Sequence, residues 1–169
     1  MDFVATTISG CFLIKPDRFE DNRGFFQEAY RIDSYSTLSD ASWKQMNWSS
    51  SKKGVIRGIH YAEYSKLVTC VKGRVWDVVV DLRPESSTYK KIFSSEITEN
   101  NGQQIYVPAR CGHGFLSLEE DSTVVYLQSD VFGKNVDLAY RYDSFGIDWP
   151  FFNDYTVSDR DSKAQPFLG

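Results

Sequence analysis

The tightest constraint on this chain is the spacing of its turn signals. Short apolar or alternating runs succeed one another, cut at near-regular intervals by Gly, Asn and Asp. Runs at 11–15, 24–30, 44–49, 55–61, 66–71, 74–82, 91–97, 103–107, 112–118, 123–129 and 138–142 read as strands. Asp21-Asn22-Arg23-Gly24, Lys72-Gly73, Asn100-Asn101-Gly102 and Phe132-Gly133-Lys134-Asn135 read as turns. Between 74 and 82, Trp76, Val78, Val80 and Leu82 make one apolar face, while Asp77 and Asp81 mark the other. Helical signal is weak, and the segment 31–39 predicts two turns at best. Many short strands with even turn spacing predict an all-β, antiparallel sandwich or barrel whose mouth can hold a ligand.

The chain has 169 residues, without linker, repeat or low-complexity tract, which predicts a single domain over 1–169. A chain of this length buries about two-thirds of its unfolded surface and needs no disulfide or metal staple. Aromatic residues make up 15% of it and alanines are few, which again favours strands. A net charge of −4 argues against a nucleic-acid partner. Cys11, Cys70 and Cys111 stand far apart with no CxxC pair, which suits a reducing, cytoplasmic setting. Cys111 could serve as a nucleophile beside His113, but no triad partner marks it, and a passive thiol is the plainer expectation. The opening Met1-Asp2-Phe3-Val4 lacks a basic stretch before its apolar residues, so no signal peptide is expected. No apolar run approaches the ~20 residues of a membrane span, so no membrane partner is expected.

Charge is unevenly placed. Between 44 and 74, Lys44, Lys52, Lys53, Arg57, Lys66, Lys72 and Arg74 face a single acid, Glu63, in a chain that is otherwise acidic. Converging cations would form a site for a phosphate or carboxylate. Lys52, Lys53 and Lys72 sit at turns and read as solvated. Arg57 and Lys66 flank apolar strand positions and are the better candidates. Between them lies His60, one of only two histidines. An imidazole titrates near neutral pH, at about 6.5 when unperturbed. Held beside fixed cations, it can take a proton from a substrate that those cations grip. The bland alternative is a satisfied strand histidine.

Other chemistries lack their parts. Two distant histidines and no HxH or HExxH argue against a multi-histidine metal site, so no metal is expected. GxxxxGK[ST], GxGxxG and GxSxG are absent, which removes the usual marks of nucleotide hydrolysis, dinucleotide cofactors and serine hydrolysis. Cofactor-free proton transfer remains. His60 would be the base and Lys66 would steady an enolate oxygen. Asp161, in the polar run Val157-Ser158-Asp159-Arg160-Asp161, is a candidate to orient the imidazole.

Blocks along nearly the whole chain carry a resemblance. They include Phe19-Glu20-Asp21-Asn22-Arg23-Gly24-Phe25-Phe26-Gln27-Glu28, Gln45-Met46-Asn47-Trp48-Ser49 and Gly54-Val55-Ile56-Arg57-Gly58-Ile59-His60-Tyr61. The run from Lys66 to Arg83 follows, then Ser87-Thr88-Tyr89, Val107-Pro108, Gly112-His113-Gly114-Phe115, Ile147-Asp148-Trp149-Pro150 and Ser158-Asp159-Arg160-Asp161. In these the chain resembles the nucleotide-sugar 4-keto-6-deoxyhexose 3,5-epimerases. The resemblance implies a cupin-type jelly roll with a few short helices, no cofactor or catalytic metal, and a nucleotide-diphosphate sugar as substrate. It also implies a homodimer whose first strands complete the partner's sheet. His60 would be the base, with Asp161 behind it and Lys66 at the sugar C4 oxygen. Arg23 and Arg57 would face the diphosphate, Phe19 and Glu28 the nucleobase, Gln45 and Asn47 the nucleotide, and His113 the sugar.

Two departures qualify that picture. The family's acid is the second tyrosine of an Asp-Tyr-Tyr run, which here reads Asp130-Val131-Phe132. A phenyl ring cannot donate a proton, so Tyr126, one strand pitch back on the same strand, is the candidate substitute, with ordered water as the other. The loop from His60 to Lys66 is also short, and Ala62 stands where the family has glutamine. Inversion at C3, C5 or both stays open, and these departures favour an epimerase restricted in one step, at C3 alone. A nucleotide-sugar binder that has lost its chemistry, and a 3,4-ketoisomerase on the same scaffold, are the alternatives.

Overall fold

A computed structural model describes residues 1–36, 38, 42–133, 137–150 and 154–168. Two sheets face each other. The first runs in the order β1 (Asp2–Ala5), β2 (Phe12–Lys15), β10 (Gln104–Val107), β7 (Lys66–Lys72), β12 (Ser122–Gln128) and β5 (Gln45–Ser51). The second runs β13 (Asp137–Ala139), β6 (Val55–Ala62), β11 (Cys111–Ser117), β8 (Arg74–Asp81) and β9 (Ile92–Thr98). A short strand, β14 (Thr156–Val157), lies parallel against the start of β6. The remaining strands, β3 (Arg18–Asp21) and β4 (Gly24–Gln27), form a separate hairpin. This is the all-β, cupin-type jelly roll that the turn spacing and the resemblance predict.

The alternating side chains of the two sheets meet in one apolar layer. Val68, Cys70, Ile105, Val107 and Val124 of the first sheet pack against Val75, Val79, Ile97, Cys111 and Phe115 of the second. Each such valine or isoleucine contributes about 1.5–3 kcal/mol on burial. The reverse faces are covered by the chain's own connections. Tyr30, Tyr35 and Trp43 cover Leu67 and Tyr106, while Tyr140, Phe145, Trp149 and Phe167 cover Val78, Val80 and Leu82.

Several local expectations need correction. β1 and β3 fall where no strand is predicted, and the run at 24–30 stops at Gln27. There the Gln27 side chain accepts from Arg18 Nε (2.9 Å) and donates to the Gly102 carbonyl (2.9 Å), ending the hairpin against a turn of the main body. The helix expected over 31–39 is α1 (Ile32–Tyr35) alone, and its N-cap, Arg31, makes no side-chain cap hydrogen bond. Positions 37 and 39 of that expectation, like Lys134 and Asn135 of the expected turn, lie outside the described residues. Phe132 is not on the strand of Tyr126, because β12 ends at Gln128. Asp77 and Asp81 do lie on the other face of β8 from Val78 and Val80, but that face is buried as well, and both are fully buried. Among the described residues no helix is long and apolar enough to cross a membrane.

One irregularity positions the site. Between the pairs His113↔His60 and Phe115↔Arg57, β6 carries one more residue than β11. Side chains three apart on a regular strand point to opposite faces. The bulge at Gly58–Ile59 absorbs one step and turns Arg57 and His60 to the same side. Gly58 has φ +115°, and a Cβ there would sit 2.7 Å from both the Gly114 Cα and the His113 carbonyl oxygen. Gly24, at the hairpin tip, has φ +121° but nothing within 4 Å. Gly58→Ala should therefore lower unfolding stability by about 2–4 kcal/mol, and Gly24→Ala by less, in urea denaturation.

Candidate active site

His60 stands on the inner face of β6, with its side chain 29% exposed. Its Nε2 lies 2.8 Å from Asp161 Oδ1, across 101 residues of sequence. The pairing of β14 with β6 brings the C-terminal segment back beside the histidine. Ser158 then caps the short helix α2 (Asp159–Ser162), its hydroxyl accepting from the Asp161 N–H (3.1 Å). Asp161 Oδ2 accepts the Gly58 N–H at 3.2 Å, so the same carboxylate holds both the imidazole and the bulge. Burial pushes the Asp161 carboxyl up, but the His60 hydrogen bond and charge, the Gly58 N–H and Ser158 outweigh it and leave the pKa below its ordinary value. The carboxylate stays ionised and orients the ring.

A second His–Asp pair lies next to the first. His113 pairs with His60 across the sheet, and its Nε2 lies 2.9 Å from Asp77 Oδ2. Both residues are buried. Asp77 was not a candidate from sequence; its only signal was a carboxylate breaking an otherwise apolar strand. Cys111 faces the apolar layer instead, and burial pushes its thiol up to about 12, which makes it the passive thiol expected.

Lys66 opens β7, on the same strand face as Val68 and Cys70, and is 6% exposed. Burial pulls its ammonium down to about 8, with Asp137 and Asp77 opposing. Its Nζ lies 5.9 Å from the Tyr64 ring centroid. Arg57 Nε donates to Ser51 Oγ (2.9 Å) and Nη2 to the Ser50 carbonyl (3.0 Å), which fixes its guanidinium at the cleft.

These groups line two joined cavities. The first, about 430 Å³, is bounded by Arg57, His60, Lys66, His113, Tyr126 and Asp161, and by Ser49, whose buried Oγ has no hydrogen-bond partner among the described residues. The second, about 300 Å³, shares His60, Lys66, Tyr126 and Arg160 and adds Gln45, Asn47, Tyr64, Gln128, Phe132 and Asp137. A relay of side chains ties its wall together. The Phe132 N–H donates to Gln45 Oε1 (2.8 Å), Gln45 Nε2 to Asn47 Oδ1 (2.8 Å), and Asn47 to Gln128. Arg160 Nη2 donates to Asp137 Oδ2 at 3.0 Å. Tyr64, Gln128 and Asp137 escaped the sequence reading because they lie in a bend or at strand ends, and Arg160 because it lies in the short helix α2.

Three expected residues are not in this cleft. Phe19 and Glu28 border a separate cavity with Met1, Asp17 and Arg31, and Arg23 sits at the hairpin tip with its guanidinium on Asp21 (2.5 Å). Among the described residues no three His, Cys, Asp or Glu side chains gather in a way that could hold a metal ion. The Lys66 ammonium should titrate near pH 8 when followed by NMR of a labelled lysine side chain. Asp137→Asn should move that midpoint lower, because it removes a charge that holds the proton on.

The chain was also compared with known proteins. Residues 5–168 match the dTDP-4-dehydrorhamnose 3,5-epimerase family. The dTDP-4-dehydrorhamnose 3,5-epimerase of Sinorhizobium fredii is 36% identical over 99% of this chain and 90% of its own length. Among solved structures, the 3,5-epimerase of Legionella pneumophila in complex with dTDP-4-keto-L-rhamnose superposes with a TM-score of 0.94 at 30% identity, covering 98% of this chain and 92% of that one. A 3'-monoepimerase from Streptomyces bikiniensis in complex with dTDP-quinovose gives a TM-score of 0.90 at 31% identity, covering 95% and 85%. With its fold and nearly its full length matched, the chain belongs to the dTDP-4-dehydrorhamnose 3,5-epimerase family, whose members are isomerases acting on carbohydrates.

Proposed function

We propose that this protein epimerises a nucleotide-diphosphate 4-keto-6-deoxysugar, without cofactor, at one of the two carbons beside the ketone. The observation that carries this reading is the 2.8 Å contact between His60 Nε2 and Asp161 in a cleft that also holds Lys66 and Arg57. Asp161 keeps the imidazole in one tautomer, leaving its other nitrogen free to take a proton from carbon. The electron pair moves onto the C4 oxygen, where the Lys66 ammonium meets the developing charge. Arg57 and the Ser49 hydroxyl, unpartnered among the described residues, are suited to phosphate oxygens. His113, paired with the buried Asp77, borders the sugar. Phe132 faces the second cavity without a donor, so one reprotonation is lost and inversion is confined to a single carbon.

Phe19, Arg23 and Glu28 enter this reading through a second copy of the chain. Their hairpin exposes Phe19, Phe25 and Phe26, and the open edge of β5 exposes Met46 and Trp48. A hairpin of one protomer laid along β5 of its partner would cover both sets and bring the three residues to the partner's cleft. Light scattering should then find a dimer, and Phe26→Asp should give monomers that bind dTDP more weakly. A monomeric native protein would refute this arrangement.

The catalytic reading is tested by transferring the protein to heavy water with dTDP-linked 4-keto-6-deoxysugars and following each ring carbon by NMR. Deuterium should enter at a carbon next to the ketone. His60→Ala should lower the exchange rate by about 10²–10⁴-fold while dTDP affinity persists. Binding without exchange in the native protein would instead favour a binder that has lost its chemistry.

A further inference from the structure

We propose that Tyr64 is the acid that completes inversion, delivering a proton to the ring face opposite His60. The inference rests on the epimerase reading above and deepens it. Inversion needs a donor on the far side of the carbon from the base. Among the described residues that line the second cavity, only Tyr64 and Tyr126 carry a phenolic O–H. Tyr126 belongs to both cavities, and so borders the space that holds Asp161 and Arg57 as well. Tyr64 borders the second cavity alone, together with Phe132, Gln128 and Asp137, and His60 lines that same cavity.

The chain path accounts for that position. β7 and β12 pair Lys66 with Gln128. The contact continues one step further, where the Ser129 N–H donates to the Ser65 carbonyl (3.0 Å) and the Ser65 N–H to Ser129 Oγ (3.0 Å). Tyr64 is the next residue, and it lines the second cavity together with Phe132. The short connection from His60 to Lys66 leaves no slack, so the Tyr64 ring turns inward, is 6% exposed, and lies against the Lys66 ammonium. Burial, with the charge of Asp137, pushes the phenol up to about 12, while the Gln128 amide beside it favours the phenolate. The group is therefore neutral and carries its proton throughout the working range. It can still yield that proton to an enolate carbon, a far stronger base.

The step balances. His60 removes the C–H proton and the pair becomes the C=C of an enolate, with the negative charge on the C4 oxygen beside Lys66. The Tyr64 O–H then protonates the opposite face of that carbon. The C=C pair becomes the new C–H bond, the C4 ketone reforms, and the phenolate regains a proton from water as His60 releases its own.

The test compares native protein, Tyr64→Phe and Tyr126→Phe in heavy water with a dTDP-linked 4-keto-6-deoxysugar, reading exchange and inversion separately by NMR. Tyr64→Phe should keep dTDP binding and its melting temperature, and should keep exchanging the proton with retention. Its inversion rate should fall about 10²–10⁴-fold. Tyr126→Phe should slow exchange and inversion together, because its ring borders both cavities. Undiminished inversion in Tyr64→Phe overturns the assignment to Tyr64 and leaves the epimerase reading standing. No exchange by the native protein overturns both.

Discussion

The close approach of two glycines, Gly58 on β6 and Gly114 on β11, is the contact on which the rest of the site depends. Neither strand can carry a Cβ there without driving it into the other's backbone. Because they carry none, β6 can take up its extra residue. The guanidinium of Arg57 and the imidazole of His60 then emerge on one wall, although their spacing in a regular strand would separate them. A cation suited to gripping an anionic tail and a base suited to working on what the tail carries are thereby fixed relative to each other by backbone alone. The Asp161 carboxylate reinforces this by accepting from the Gly58 N–H as well as pairing with His60.

The electrostatics of the cleft divide into paired and unpaired charge. Asp161 and Asp77 are each buried against a histidine, which offsets much of the desolvation a lone carboxylate would suffer. Lys66 has no such partner: among the described residues no ion pair reaches its ammonium, and burial pulls its proton affinity down. A structural role would not require a cation in that condition. Buried charge awaiting a counter-charge marks a place where negative charge is to be formed or bound.

The sheets were readable because strand period and turn chemistry are local properties. Turn residues at 21–24 and Lys72-Gly73 do join strands, and the alternation of β8 does put Val78 and Val80 on one apolar face. The site was readable only in its residue types. Arg57, His60, Lys66, His113 and Asp161 converge as expected, but the bulge that unites them is a property of two strands, and β11 is remote in sequence. Asp77 was hidden because an aspartate in a strand looks solvated until the partner histidine across the sheet is known. Tyr64 was hidden because it lies in a connection with no periodicity to read. Phe19, Arg23 and Glu28 stand away from the cleft of their own chain, which a linear reading has no means to register.

The segment that bears Phe132 is held by its own backbone N–H on Gln45, and through Gln45 to Asn47 and Gln128. Nothing in that tether involves the side chain at 132. The contour of the pocket wall and its reactivity are consequently governed by different atoms. A lineage can exchange the ring at this point for one of different chemistry while the rim keeps its shape, so stereochemical outcome is free to drift on a scaffold that continues to admit the same class of sugar.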